Sequence, residues 1–419
     1  MIKQSNISLL DADANSITAK KATPLILFIA ILLTAATQRS PITGVGSLIV
    51  DIQHSTGLSH TLAGMLTTLP LIAFAVFALA APKLSIRFGM ELTLLSCMIA
   101  LTVGIIVRSL STVTELFIGT ALIGSAIAVC NVLVPSMIKR DYSHRIGLMT
   151  ALYTSSMNLM SAIASGISVP LSRTAIGWRG SLACWVILSV ITALCWLPLL
   201  GRNKEHKSYV KQQSTSADHS IVKIASKPKS LWVSPVAWQV TVFMGLQSIM
   251  FYVGISWLPE ILHERGMSID KAGWMLSLMQ ILGMVGSFVM PLIAARTQSQ
   301  KLLTAASASL FLFGFGGIWL GSTTLAPLFI TLIGLGCGTT FSLVILFFAF
   351  RTRTAEEAAK LSGMAQSVGY LVAAVGPTLF GFIHDKSGNW NAPLATITCL
   401  TILTIIIGYL AGRKGYVNG

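Results

Sequence analysis

The stretch that decides the fold is TPLILFIAILLTAATQRSPITGVGSLIV, residues 23–50. Thr23 and Pro24 are set as N-cap and first helical residue, and the apolar run behind them is long enough to enter a bilayer. Arg39 follows: at about 1.5 Å per residue it stands roughly 22 Å along the helix axis, inside a hydrocarbon core about 30 Å thick. No acid on the same helix lies within its reach. A guanidinium at that depth costs from about 2.5 kcal/mol upward, so it must find carbonyls, water or an anion. Two roles meet that need. Arg39 either snorkels towards the far interface or binds backbone carbonyls, or it faces a substrate as a fixed charge.

The rest of the 419-residue chain is of the same kind. It is 54% hydrophobic and only 10% charged, with a mean hydropathy of +0.77, which excludes an ordinary soluble protein. The apolar runs are mostly twenty residues or longer and apolar on all sides, whereas a β-barrel needs alternating segments of about ten. The expected fold is therefore an all-α membrane protein of twelve transmembrane helices. They are placed at 23–48, 60–81, 91–109, 114–138, 147–171, 178–200, 234–259, 269–293, 301–320, 325–350, 356–384 and 391–412.

A net charge of +15 suggests nucleic acid in a soluble chain, but here its distribution reads as topology. Apart from Arg39, 22 Lys and Arg fall on one side of this helix scheme and six on the other, which puts both termini in the cytoplasm. The domains expected are a cytosolic tail at 1–22, a six-helix half at 23–200, a basic cytosolic linker at 201–233, a second half at 234–412 and a tail at 413–419. The linker is polar and rich in Ser and Lys, as a flexible connection would be. The N-terminus has no apolar segment of signal-peptide type. The six cysteines lie in apolar runs without CxxC spacing and read as free thiols, neither metal ligands nor disulfides.

The two halves repeat. Gly57, Leu58, Ser59, Ala63 and Gly64 are matched at an offset of 209 by Gly266, Met267, Ser268, Ala272 and Gly273; the same offset pairs Pro82 with Pro291, Arg87 with Arg296 and Asp51 with Glu260. A shared register over about 35 residues implies duplicated halves related by an axis along the membrane normal, with a site between them near the midplane. Polar groups within the helices mark that site. Thr154, Asn158, Ser161 and Ser165 form one stripe and Ser248, Tyr252 and Ser256 another. Gln366 and Tyr370 share a face, Gln280 lies in the eighth helix, and Asn131 sits four residues before Pro135. Any one of these groups is equally served by a hydrogen bond to a neighbouring helix, for about a kcal/mol. The substrate-binding set expected is Arg39 as anchor, Asn131, Gln247, Gln280 and Gln366 as amide partners, and Tyr252 and Tyr370 as walls. Pro135, Gly376 and Pro377 are expected to shape helix bends.

No Asp, Glu or Lys falls at the centre of an expected helix, and all seven His lie in loops or near helix ends. Catalytic and metal-binding constellations are absent from the pattern, so neither an enzyme nor a cofactor is expected. A built-in carboxylate relay is not expected either. That leaves facilitated diffusion, exchange, or co-transport in which the substrate carries the proton, with Glu115, Glu260 and the helix-end His as the places for any hidden relay.

Several stretches carry a family resemblance: TQRSPITGVGSLI at 37–49, NVLVPSMIKRD at 131–141, SPVAWQVTVFMG at 234–245, WLPEIL at 257–262 and LSGMAQSVGYLVAAVGP at 361–377. Together with the two halves and the basic linker they resemble the major facilitator superfamily, and within it the cyanate and 2-nitroimidazole transporters. The resemblance implies a monomeric transporter of a bacterial inner membrane, working by alternating access on a small anion or a small planar nitroheterocycle. Its partners would be that solute and the lipid bilayer, with no nucleic acid. A multidrug-type efflux protein and an anion channel are the alternatives. The superfamily's loop between helices 2 and 3 usually carries an Asp-Arg pair that latches one face. Here Pro82, Arg87 and Gly89 stand in that loop without the Asp, so Arg87 and Gly89 keep only the turn and a helix-end contact.

Overall fold

The computed structural model describes residues 24–45, 48–58, 60–201 and 230–417. The expected N-terminal tail, most of the expected linker and the last two residues lie outside these. Fifteen α-helices are found among the described residues. They are α1 (Pro24–Val45), α2 (Ile49–Thr56), α3 (His60–Phe77), α4 (Ala81–Phe88), α5 (Met90–Arg108), α6 (Val113–Asp141), α7 (Ile146–Ser172), α8 (Gly177–Ala183), α9 (Trp185–Trp196), α10 (Pro235–Glu264), α11 (Ile269–Ala295), α12 (Lys301–Leu320), α13 (Ala326–Phe350), α14 (Ala355–Ser387) and α15 (Asn391–Ala411).

Ten of the resulting segments are long and apolar enough to cross a membrane, and eleven if the bent pair α3–α4 counts as one. The bend is 53°. Pro82 sits in the first turn of α4 and restarts the helix, so the second expected helix runs on to Phe88 instead of stopping at 81. The sixth expected helix is likewise divided into α8, α9 and a 3₁₀ turn at Leu197–Leu200. Helix α7 has 27 residues, about 40 Å of helix, but it is too polar to be among the ten. Thr150, Thr154, Ser161 and Ser168 are buried in it, which a membrane helix tolerates where its polar stripe faces protein and not lipid.

The largest core is continuous across the bundle. It joins Leu27 and Ile31 of α1, Phe74 of α3, Val132 and Leu133 of α6, Tyr153 of α7, Phe243 and Met244 of α10, Leu346 and Phe347 of α13 and Tyr370 of α14. A second core lies within the C-terminal helices, around Phe311, Phe315, Phe380 and Trp390. With no hydrophobic drive between helices in lipid, close backbone approach takes its place. A Cβ on Gly338 of α13 would lie 1.8 Å from the Gly283 carbonyl of α11, so only glycine lets these two helices meet. The repeated loop glycines Gly57 and Gly266 have φ of 70° and 90°, the same left-handed turn at both copies of the motif. Pro82 and Pro291 differ: the first begins a helix after a break, the second lies inside the unbroken α11.

Candidate functional site

Arg39 lies on the core side of α1, where the backbone is helical through the Gln38-Arg39-Ser40-Pro41 sequence. Its guanidinium lies over two phenyl rings, 5.9 Å from the centroid of Phe251 on α10 and 5.6 Å from that of Phe341 on α13, and meets the Tyr252 hydroxyl. Both are within the roughly 6 Å at which a ring face attracts a cation. Its Nε is buried without a hydrogen-bond partner, and no ion pair of Arg39 is found among the described residues. The structure therefore gives Arg39 neither an acid nor a carbonyl cage.

A cavity of about 30 Å³ opens beside it, against the roughly 10–15 Å³ that one water sphere needs. Arg39 and Asn158 line it on one side; Gln247, Ser248, Tyr252, Gln280, Cys337 and Tyr370 are among the groups that face them. Among the described residues no Asp, Glu, Lys or His lines it. The walls are braced. Asn158 donates to the Ser287 hydroxyl (2.7 Å) and Ser287 to the Gly338 carbonyl (3.3 Å), while Thr154, one turn before Asn158, donates to the Ser287 carbonyl (3.1 Å). Gln247 donates to Ser248 (2.8 Å). Tyr370 packs on Phe74 at 5.0 Å and Tyr252 meets Phe251 edge-on at 5.2 Å. Behind Arg39, Tyr153 donates to the buried Gln38 side chain at 2.8 Å. The result is one cation with aromatic faces, amide donors and hydroxyls about it, a set that suits a small acceptor-rich solute.

Of the expected binding residues, Arg39, Gln247, Tyr252, Gln280 and Tyr370 share this cavity. Asn131 and Gln366 do not line it. They meet each other where α6 and α14 pack, Gln366 donating to the Asn131 carbonyl (3.0 Å) and to Ser362 (2.7 Å). Phe251, Phe341, Ser287 and Met279 belong to the cavity and escaped the sequence reading. Asn158 and Ser248 were in its polar stripes but outside its binding set.

The expected bend and gate residues are spread more widely. Pro135 is buried inside α6. Gly376 faces Ile249 and Val253, and the Pro377 carbonyl accepts from Trp257 (2.8 Å). The Pro291 carbonyl stands 2.8 Å from where a Cβ on Gly147 would sit, so α7 begins hard against the end of α11. Arg87 is exposed and lies over the Phe88 ring at 5.2 Å. Gly89 turns the chain at φ 90°, and Arg296 caps α11. At this basic end the ionic contact comes from elsewhere. Glu91, only 1% exposed, receives Arg140 at 2.5 Å, and Arg140 also meets Asp141 at 2.8 Å. Lys139 reaches across to the end of α13, donating to the Ala349 carbonyl (2.5 Å), the Thr352 carbonyl and the Thr352 hydroxyl (2.9 Å). Glu115 is occupied as a helix cap with Thr112, Glu260 is exposed, and His384 stacks on Trp390 at 4.3 Å, so none of the three faces the cavity.

Comparison with known proteins agrees with this architecture. The chain is 40% identical to an uncharacterized transporter, YycB, of Bacillus subtilis, over 95% of this chain and 96% of that one. It is 38% identical to the 2-nitroimidazole transporter of Escherichia coli (93% and 96% covered) and 27% identical to the cyanate transport protein CynX of the same organism (90% and 96%). Among solved structures it superposes on the proton:xylose symporter XylE with a TM-score of 0.76 at 13% identity, covering 95% of this chain and 98% of that one, a likeness of fold. Residues 27–377 match the Major Facilitator Superfamily, and the chain belongs to that family of transporters, not to an enzyme family.

Proposed function

We propose that the protein moves a small, planar, conjugated monoanion across the inner membrane by alternating access. The observation that carries this reading is Arg39: a cation over Phe251 and Phe341, without an acid, at the wall of a cavity supplied with amide and hydroxyl groups. Such a site is short of one negative charge and of acceptor atoms, and a planar anion offers both to the guanidinium fork. In this reading Arg39 is the anchor, Asn158, Gln247 and Gln280 are the amide partners, and Tyr252 and Tyr370 are the walls. Asn131 and Gln366 serve the packing of α6 on α14.

The names of the relatives fit one chemistry. Cyanate is a linear conjugated anion, and 2-nitroimidazole becomes a planar conjugated anion once its acidic ring N–H is lost. The architecture we propose has twelve spans, with α3–α4 and α8–α9 each counted as one and α7 included. They form two halves, 23–200 and 234–412, joined by the 201–233 linker, with both termini cytoplasmic as the Lys and Arg asymmetry favours.

Calorimetry on the purified protein tests the substrate class. Cyanate should bind, and 2-nitroimidazole should bind more tightly as rising pH deprotonates its ring. 1-Methyl-2-nitroimidazole, which cannot lose that proton, should not bind. Equal affinity for the methylated and unmethylated rings at every pH would overturn the anion reading. A reporter after Arg202 or at the C-terminus should be cytosolic and one near Ser387 periplasmic; the opposite labelling would overturn the topology.

A further inference from the structure

We infer that the protein is an exchanger, returning across the membrane only with an anion bound, because its empty site carries the unpaired charge of Arg39 and its loaded site carries none. The inference rests on the anion reading above and adds how the transport cycle must close. Its premise is a charge count. The side chains around Arg39 are Phe251 and Tyr252 from α10, Gln280 from α11, Phe341 from α13, Tyr370 from α14 and Asn158 from α7. None is acidic. Arg108 of α5, fully buried, donates to the Pro41 carbonyl at 2.5 Å and is absent from the cavity lining, so it adds no second charge to the site.

Alternating access requires a moment when the site is closed to both sides. At the size it has in this structure, about 30 Å³, the site then holds roughly two waters. Two waters are a poor substitute for the hydration of a guanidinium, and taking an ion out of water without a partner is costly. The rings of Phe251 and Phe341 offset part of that cost by their quadrupoles, but they remove no charge. A bound monoanion removes it outright and supplies acceptors for the unpartnered Nε. The closed state is thus reached readily by the loaded protein and rarely by the empty one. Carriers with a carboxylate in the site have another way back, since a proton can adjust the charge; here no carboxylate or imidazole stands among the described residues of the lining. One anion in for one anion out follows, with no net charge moved per turn.

Full-length protein in liposomes loaded with radiolabelled cyanate, with the membrane potential clamped by potassium and valinomycin, tests this. Efflux into buffer containing unlabelled cyanate should exceed efflux into cyanate-free buffer at least about tenfold, a difference that small changes in barrier suffice to produce. External 1-methyl-2-nitroimidazole should give no acceleration. In Arg39→Gln, whose empty site is neutral, whatever flux survives should lose its dependence on external anion. Equal efflux with and without external cyanate, from wild-type protein that binds cyanate in the calorimeter, would overturn the exchange inference and leave the anion reading standing. Failure of cyanate, formate and 2-nitroimidazolate all to bind would overturn both.

Discussion

The centre of the bundle and its basic end treat cations in opposite ways. At the basic end three cations are answered: Arg140 by Glu91 and Asp141, Lys139 by two carbonyls and a hydroxyl at the end of α13, Arg351 by the Ala411 carbonyl and Gln300. At the centre Arg39 is answered by two phenyl faces and the Tyr252 hydroxyl, and by no opposite charge among the described residues. The contrast separates two uses of charge. Partnered charge ties helices together, and its removal is felt as lost stability. Unpartnered charge in a low-dielectric interior is a cost with no structural return, and it persists where a ligand completes it. Arg108 stands between the two: one nitrogen donates to the carbonyl of Pro41, on the same helix as Arg39, while its Nε and second terminal nitrogen are buried without partners.

The largest effect expected is at the basic end. Arg140→Ala leaves Glu91, 2% exposed in its side chain, as a buried acid without its partner, which should cost on the order of 3 kcal/mol, the low end for breaking a buried pair. Glu91→Gln should cost less, because the amide still offers an acceptor. Thermal unfolding in detergent should show the order wild type, Glu91→Gln, Arg140→Ala, with ligand affinity preserved in whatever remains folded. A normal melting curve for Arg140→Ala would mean that this end is not held by charge, and the contrast with the centre would disappear.

At the centre the expected outcome is the reverse. Arg39→Ala should melt like wild type and lose about 100-fold or more in affinity for a monoanion, consistent with removing a charge-assisted bidentate contact of about 3 kcal/mol. Arg39→Lys should recover only part of this, since an ammonium lacks the planar fork. An Arg39→Ala protein with lowered melting temperature and undiminished affinity would assign Arg39 to structure.

How far the sequence discloses all this depends on contrast with background. In helices that are overwhelmingly apolar, Arg39, Gln247, Gln280, Tyr252 and Tyr370 stand out, and they gather at one cavity. Phe251, Phe341 and Met279 line the same cavity but look like any lipid-facing or packing residue, because membrane helices carry such side chains on every face. Asn131 and Gln366 stand out equally, yet Gln366 donates to the Asn131 backbone carbonyl and to Ser362 instead of facing the cavity; polarity marks a buried partner, not which partner. The break between α3 and α4 follows from Pro82 only once the following turn is seen, since Pro291 at the matched repeat position leaves α11 unbroken. Glu91 opens the third expected helix, and nothing in spacing alone ties it to Arg140, 49 residues away.

A smaller effect sharpens the boundary between the two regions. Asn158 both lines the cavity and bridges to Ser287, so it stands at once in the site and in the packing. Asn158→Ala should lower melting stability by about 1 kcal/mol, the usual worth of one hydrogen bond, and weaken anion binding about fivefold. Binding left unchanged alongside the stability loss would place Asn158 with the structural group.

The smallest effect concerns the two rings. Phe251 and Phe341 lie at nearly equal distances from the guanidinium carbon, so each supplies part of the attraction that holds Arg39 at the cavity. Replacing either with Leu preserves apolar bulk and removes the quadrupole, at about 0.5–1 kcal/mol. Affinity for a monoanion should fall by roughly three- to fivefold in Phe251→Leu and in Phe341→Leu alike. Because the rings act on Arg39 and not on the solute, the loss should be the same for cyanate, which has no ring to stack, as for 2-nitroimidazolate, which has one. A loss confined to 2-nitroimidazolate would turn the rings into stacking walls for an aromatic solute. Arg39 would then be held by the close packing of α1 and the Tyr252 hydroxyl, and its charge would stay without a counter-charge until the substrate arrives.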